Sequence, residues 1–440
     1  MNIAIVGAGW AGLAAAVSVL DVGHHATVFE ASGAIGGRAR AIFGTLPDGT
    51  PVTLDNGQHI LIGAYCDTLR LMRQVGVMPE QALLNLPMTL QFPDGRGIRF
   101  PDWPTPLDAL GGMLGARGWT LADKGALLLA AIRWQLGGFR CADRLSVAQL
   151  CQSLTPRVLG ELIEPLCVSA LNTPAAQASA SVFLRVLRDA LFGTQGGSHL
   201  LLPKTDLSAL FPQAAATWVQ QHGGAVVLKS RVTSIWPCGT KWQLHDTQAG
   251  ALTGQLFDAV ILATYASNSA LALIQSAQHA TKNISNNMLA WAACAQALRF
   301  EAIATVYAWA PDAALATPML ALRSDAANPA QFVFDRAQLG GPAGLLAFVV
   351  SAAQGDRQAL QSQVLAQAQQ QLGLKLQAVQ TVVEKRATFA CTPGLLRPAQ
   401  QIAPGLLACG DYVSGPYPAT LEGAVLSGVA AARALTATPI

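Results

Sequence analysis

The chain has 440 residues, 52% hydrophobic and only 12% charged, with a mean hydropathy of +0.36. That length suits two or three domain-sized units, and the composition suits a protein that buries or handles oily surface. A net charge of +3 argues against a nucleic-acid partner, no run of eighteen apolar residues is there to span a bilayer, and eight singly scattered cysteines form no disulfide framework or zinc motif.

From the N-terminus, Asn2-Ile-Ala-Ile-Val6 reads as a buried strand, Gly7-Ala-Gly9-Trp-Ala-Gly12 as a glycine turn, the stretch to about Val22 as a helix, and Ala26 to Glu30 as a second strand ending in an acid. This is the order of a dinucleotide-binding unit. Gly7 makes the tight turn, Gly9 lets backbone approach a pyrophosphate, Gly12 allows helix to pack on strand, and Glu30 accepts from ribose hydroxyls. Because the first strand starts at residue 2, a chain beginning as written is expected, with no signal peptide and a cytoplasmic location. A second turn, Gly36-Gly37-Arg38, adds a guanidinium suited to phosphate oxygens.

The run Leu54 to Tyr65 holds the turn Asp55-Asn56-Gly57-Gln58-His59. After the break at Pro101–Pro106, residues 107–139 are rich in helix-spaced leucine, with Trp119 and Trp134 and with Arg117, Lys124 and Arg133. Such a segment can lie on a bilayer with tryptophans at the interface, or form a core helix with a solvated edge. Gly196-Gly197 and Gly223-Gly224 flank a return to nucleotide-type sequence, with a strand expected over Phe257 to Thr264. Strands are predicted over Gln331–Phe334 and Leu345–Val350, and a polar, glutamine-rich helix over Arg357–Leu372. At the end, a strand runs into Gly410-Asp411, suited to ribityl hydroxyls, and Pro418 to Gly428 opens a helix that can face the pyrimidine edge of a flavin. The seven histidines have no partners at metal-ligand spacing, so no metal is expected.

Together these segments resemble the FAD-dependent amine oxidase and carotenoid desaturase superfamily. The resemblance implies an α/β fold: a Rossmann-like FAD-binding domain with an inserted α+β substrate domain, and FAD as cofactor. The FAD domain would be assembled from 1–70, 196–265 and 390–440, and the substrate domain from 71–195, with membrane-facing helices in 107–139, and from 266–389. It places Gly7, Gly9, Gly12, Glu30, Gly37, Arg38, Gly57, Gln58, Val232, Gly410, Asp411 and Leu421 at the cofactor, Val232 by its backbone at the adenine.

Within the superfamily, Leu54 to Tyr65, Glu384 to Phe389 and Gly410 to Gly428 are most similar to the hydroxysqualene dehydroxylases, or squalene-associated FAD-dependent desaturases, of hopanoid biosynthesis. That implies hydride delivery from reduced FAD to the allylic carbinol of hydroxysqualene, with loss of water to give squalene. It also implies an oily isoprenoid partner and leaves peripheral membrane contact open; the electron donor is not legible. The departing hydroxide needs an acid. His59 has the right intrinsic range, or braces its loop; Asp55 is raised by an apolar pocket, or ties the turn; Tyr417, like Tyr65, donates a hydrogen bond, or packs. A carotenoid-type desaturase, an amine oxidase, and a redox-inactive flavin-binding scaffold stand as alternatives, the amine oxidase disfavoured by an aromatic content of 6%.

Overall fold

The protein, described by a computed structural model over residues 1–246 and 251–436, is built on a six-stranded sheet. Residues 247–250 of the expected segment 196–265, and 437–440 of the segment 390–440, lie outside the described residues. The strand order is Ala225–Val227, His25–Phe29, Asn2–Val6, Ala259–Leu262, Leu406–Ala408 and Gln401–Ala403. The first five are mutually parallel and the last turns back antiparallel. Asn2–Val6 sits between two neighbours, Ile3 opposite both Ala26 and Ala259, and Ile3, Ala4 and Ile5 are wholly buried. A parallel sheet covered on both faces requires such continuous apolar strands.

The helix Trp10–Asp21 starts directly after Gly9 and packs against the closing helix Leu421–Thr436. The crossing is close because Gly428 has no side chain: a Cβ there would lie 2.2 Å from the Ala11 carbonyl oxygen. The run expected as one strand from Phe257 to Thr264 divides in two. Ala251–Phe257 joins an antiparallel sheet with Ser234–Cys238 and Lys241–His245, while Ala259–Leu262 enters the nucleotide sheet. Asp258 marks the change, its carboxylate accepting from the Asn2 amide and pairing with Lys241.

A five-stranded antiparallel sheet lies beside this core, in the order Met319–Ala321, Phe332–Asp335, Leu345–Ser351, Phe300–Trp309 and Gln377–Phe389. Every residue of its middle strand is buried. The helix Arg357–Leu372 covers it with Leu360, Val364 and Ala368. Gln367 on that helix is also buried, and its amide exchanges two hydrogen bonds of 2.9 Å with the backbone of Ala330. Asp356 caps the helix start by accepting from Gln358 and Ala359.

Residues 107–139 form two helices, Leu107–Gly115 and Leu121–Leu136, the second opened by a capping box between Thr120 and Asp123. Lys124 donates to the Leu114 carbonyl at 2.6 Å, tying the second helix to the C-terminal end of the first. Trp119 and Trp134 are buried, so of the two positions open to them the tryptophans take the core one. The Trp119 indole donates to Glu161 at 2.9 Å, a partner unknown to the local pattern.

Candidate functional site

The glycine turns lie face to face at the C-terminal edge of the sheet. Gly7 takes φ +113°, a left-handed conformation that glycine alone adopts freely, and its amide donates to Phe29 at 2.8 Å. Gly12 has no room: a Cβ would lie 2.0 Å from the Gly7 oxygen. Gly9 differs, since the nearest atom to a Cβ there is the Gly37 Cα at 3.8 Å. The protein's own packing does not require glycine at Gly9; the bare backbone faces the cavity. Gly36 donates to Ala8 at 2.8 Å and joins the two turns into one cradle. Glu30 sits at the strand end, accepting from the amides of Ala8 (2.8 Å) and Ser32 (2.9 Å).

A cavity of about 1040 Å3 starts at this cradle and runs through the molecule. Gly7, Gly9, Glu30, Gly37, Arg38, Val232, Gly410, Asp411 and Leu421 all line its polar half, alongside Ser230 and Thr264. Gly12 stands behind the turn. The other half is apolar, walled by Phe100, Leu127, Leu162, Phe183, Phe332 and Phe334 among others. Between the halves Gly57, Gln58 and His59 reach the wall, Gly57 at φ +139°.

A profile of flavin-containing amine oxidoreductases matches residues 10–436. The chain belongs to this family. Among curated relatives it is similar to hydroxysqualene dehydroxylase of Sinorhizobium fredii, 27% identical over 247 residues, and to that of Rhodopseudomonas palustris, 25% over 254. These alignments cover 53% and 54% of this chain and 54% and 56% of the relatives, so the chain spans about half the length of the curated relatives it matches. Zeta-carotene desaturase of Synechocystis is 41% identical over 76 residues, 17% of this chain and 15% of that protein. In fold it resembles an oxidoreductase from Methanosarcina mazei (TM-score 0.70, 16% identity, 98% and 99% of the two chains) and cyclohexylamine oxidase from Brevibacterium oxydans (TM-score 0.68, 16%, 99% and 98%). The mixed α/β fold is thus that of FAD-dependent oxidoreductases over nearly its whole length.

The cradle of this oxidoreductase fits the flavin nucleotide its family carries. Open backbone at Gly9, a helix N-terminus behind it and a carboxylate at Glu30 match pyrophosphate and ribose in turn. Arg38 lines the cavity and is also engaged by the protein itself. One terminal nitrogen donates to Asp411 at 2.6 Å and the other to the carbonyls of Arg386 and Ala387, so protein acceptors fix the guanidinium. Asp411 is therefore charge-compensated before any hydroxyl reaches it.

The three candidate acids fare differently. Asp55 does not line the cavity. It is buried behind the turn, where it accepts from the Leu207 amide at 2.8 Å, lies 4.0 Å from Arg336, and receives the Tyr307 hydroxyl on its backbone oxygen at 2.9 Å. Burial pushes its carboxyl up to about 6, against the opposing pull of the Leu207 amide and Arg336. Of the two roles open to Asp55, these contacts favour the carboxylate that ties the turn over the acid. His59 lies 2.7 Å from the Gly57 carbonyl through Nδ1, which therefore carries the hydrogen and braces the loop. Burial holds the imidazole below its ordinary range; the Gly57 carbonyl opposes this and Arg38 reinforces it. At neutral pH His59 is uncharged, with Nε2 an acceptor and not an acid. Tyr417 does line the cavity, but its hydroxyl donates to Asp189 at 2.9 Å, and burial with that carboxylate pushes it up to about 12. Tyr65 also lies on the wall, half-buried, its phenol raised by desolvation.

Three residues escaped the sequence reading. Arg336 is buried and donates to the Gln58 side chain at 2.9 Å, holding the turn from 278 positions away. A charge following the apolar strand Phe332–Asp335 was its faint signal. Asp189 pairs with Arg185 at 2.6 Å and Arg188 at 3.0 Å besides Tyr417. Glu384 accepts from the Asn56 side chain at 3.4 Å; the sequence offered it only as part of the segment Glu384–Phe389 that carries the resemblance, with no role of its own. Among the described residues no cluster of ligands for a metal ion occurs, and no helix is long and apolar enough to cross a membrane.

Proposed function

We propose that this oxidoreductase is a reductive dehydroxylase of an isoprenoid alcohol, with hydroxysqualene as substrate and squalene as product. The observation that carries the reading is the long apolar half of the cavity, continuous with the flavin cradle. Among the described residues the acids on the cavity wall are Glu30, Asp189, Glu384 and Asp411, and no lysine is there. Asp189 is already neutralised by two arginines and Asp411 by Arg38. The similarity to hydroxysqualene dehydroxylases over half the chain supports the same reading.

The two glycine turns would hold the pyrophosphate, Glu30 the ribose, and the start of the helix at Leu421 the pyrimidine edge. Bound and reduced, FAD supplies a hydride equivalent. The protein's part is to place the carbinol and dispose of its oxygen. His59 Nε2, with no hydrogen-bond partner among the described residues, accepts from the substrate hydroxyl and aligns its C–O bond. The apolar walls exclude water from the developing allylic charge. Departure of hydroxide needs a proton, and His59 carries one only below the ordinary imidazole range. The rate is therefore expected to rise as pH falls through and below that range, and the His59→Gln variant to lose that rise.

The deciding experiment reduces the FAD-loaded protein without oxygen, adds hydroxysqualene, and follows flavin absorbance together with squalene by mass spectrometry. Stoichiometric reoxidation with squalene formed supports the assignment. Flavin that stays reduced without squalene overturns it. Bleaching of the oxidised flavin by a polyene hydrocarbon would then favour a desaturase, to which the short zeta-carotene desaturase similarity points. A flavin inert to both would mark a binding protein.

A further inference from the structure

The apolar half of the cavity ends at the helices Leu107–Gly115 and Leu121–Leu136, and their outer faces are oily. Leu107, Leu110 and Leu114 form one exposed stripe, and Leu121, Leu129, Ile132 and Leu136 another, set by the three-to-four-residue helical repeat. Leu121 and Leu136 are 87% and 85% exposed. The opposite face of the second helix, Leu127, Ala130 and Trp134, already supplies its core contact, so the outer stripe is not needed for packing. Leu107, Leu110, Ile132 and Phe192 are both exposed and part of the cavity wall, so the cavity opens within this patch. The Phe139 and Phe192 rings, 5.1 Å apart, close one side of the rim.

The exposed surface of the same segment is also basic. Arg117, Arg133, Arg140 and Arg144 are exposed, against the exposed acids Asp102 and Asp143; Asp108 and Asp123 are buried. An exposed apolar patch with a basic surround fits the boundary of an anionic bilayer, where leucines enter the acyl region and guanidinium groups meet phosphates. We infer that this two-helix face docks on an anionic lipid bilayer, so that the cavity mouth opens into the acyl region and oily molecules pass without crossing water. The nature of the passenger rests on the dehydroxylase reading; the docking does not.

The test is flotation of the FAD-loaded protein with vesicles of phosphatidylcholine, with and without phosphatidylglycerol, and no substrate present. The wild-type protein is expected to float, more so with the anionic lipid and less so at high salt. A triple variant, Leu121→Glu, Leu129→Glu and Leu136→Glu, alters exposed side chains that do not line the cavity. It should lower partitioning by at least about tenfold with flavin content unchanged. The control pair Phe43→Glu and Leu396→Glu, both 82% exposed elsewhere on the molecule, should float as before. If the triple variant loses flavin, Arg133→Gln with Arg140→Gln decides instead, by loss of the preference for anionic lipid. Wild-type protein that stays off vesicles, or an intact triple variant that floats equally well, overturns the inference. A dimer that the triple variant dissociates, without vesicle binding, would show the face to be an interface between copies. Floating protein that makes no squalene would leave the docking standing and the dehydroxylase reading refuted.

Discussion

Gly9 and Gly12 stand three residues apart in one turn and answer to different neighbours. A side chain at Gly12 would collide with the Gly7 carbonyl, whereas one at Gly9 meets only the Gly37 Cα at 3.8 Å. Gly12→Ala is expected to damage folding itself, lowering the yield of folded protein whether or not flavin is supplied. Gly9→Val should keep the thermal midpoint of the flavin-free protein yet abolish flavin retention, read from the absorbance of purified material. Normal flavin occupancy in Gly9→Val would remove the N-terminal cradle from the site. Asp55 carries a pH signature. Its carboxyl titrates near 6 in the fold and has an ordinary value of 3.8. The folded state therefore holds the proton more tightly, and stability falls as pH rises between about 4 and 6, then levels off. The shift corresponds to roughly 3 kcal/mol. Denaturant unfolding across that range should show the decline, and Asp55→Asn should flatten it. Tyr417 already donates its hydrogen to Asp189, so Tyr417→Phe is expected to slow turnover by less than about tenfold. A loss of a hundredfold or more in single-turnover rate would make Tyr417 the proton donor.

The helix Leu121–Leu136 shows how one element divides its work between faces. Leu127 is 4% exposed and Leu129 is 65% exposed, although two positions apart they look alike in sequence. Leu127→Ala removes buried methyl groups beside the cavity and is expected to cost about 2–5 kcal/mol in denaturant unfolding. Leu129→Ala should stay within about 0.5 kcal/mol of wild type. Equal effects would mean that the outer stripe is covered in the folded protein. The leucine spacing made both stripes visible beforehand. Which stripe faced inward was not visible, because periodicity is symmetrical about the helix axis. The sequence left Trp119 and Trp134 open between an outer interface and the core, and Glu161 and the core drew them in.

Across the whole molecule, the nucleotide sheet is assembled from strands widely separated in the chain, and Arg38 joins its ends. The guanidinium spans 373 positions to Asp411 and 349 to the Ala387 carbonyl. Arg38→Met leaves the Asp411 carboxylate, with only 9% of its side chain exposed, without its partner. Removing one member of a buried pair typically costs about 3–5 kcal/mol. Stability and flavin affinity are expected to fall together in this variant, and a paired neutral change at Asp411 should recover part of the stability. Loss of flavin with stability unchanged would instead assign Arg38 to the cofactor, as its turn suggested.

The sequence by itself determined the glycine cradle, the strand that feeds it and the acid that follows, because these depend on local sterics: positive φ at Gly7, contact at Gly12, alternation along short strands. It also revealed the oily character of the helical insertion. The tertiary structure decided everything that rests on distant partners. It put Asp55 behind the turn with Arg336, gave the Nδ1 hydrogen of His59 to Gly57, tied Tyr417 to Asp189 and Arg38 to Asp411, and chose which helical face meets the core. Pairing energies of that kind depend on burial and on a neighbour hundreds of residues away, and neither quantity is written in a local run of amino acids.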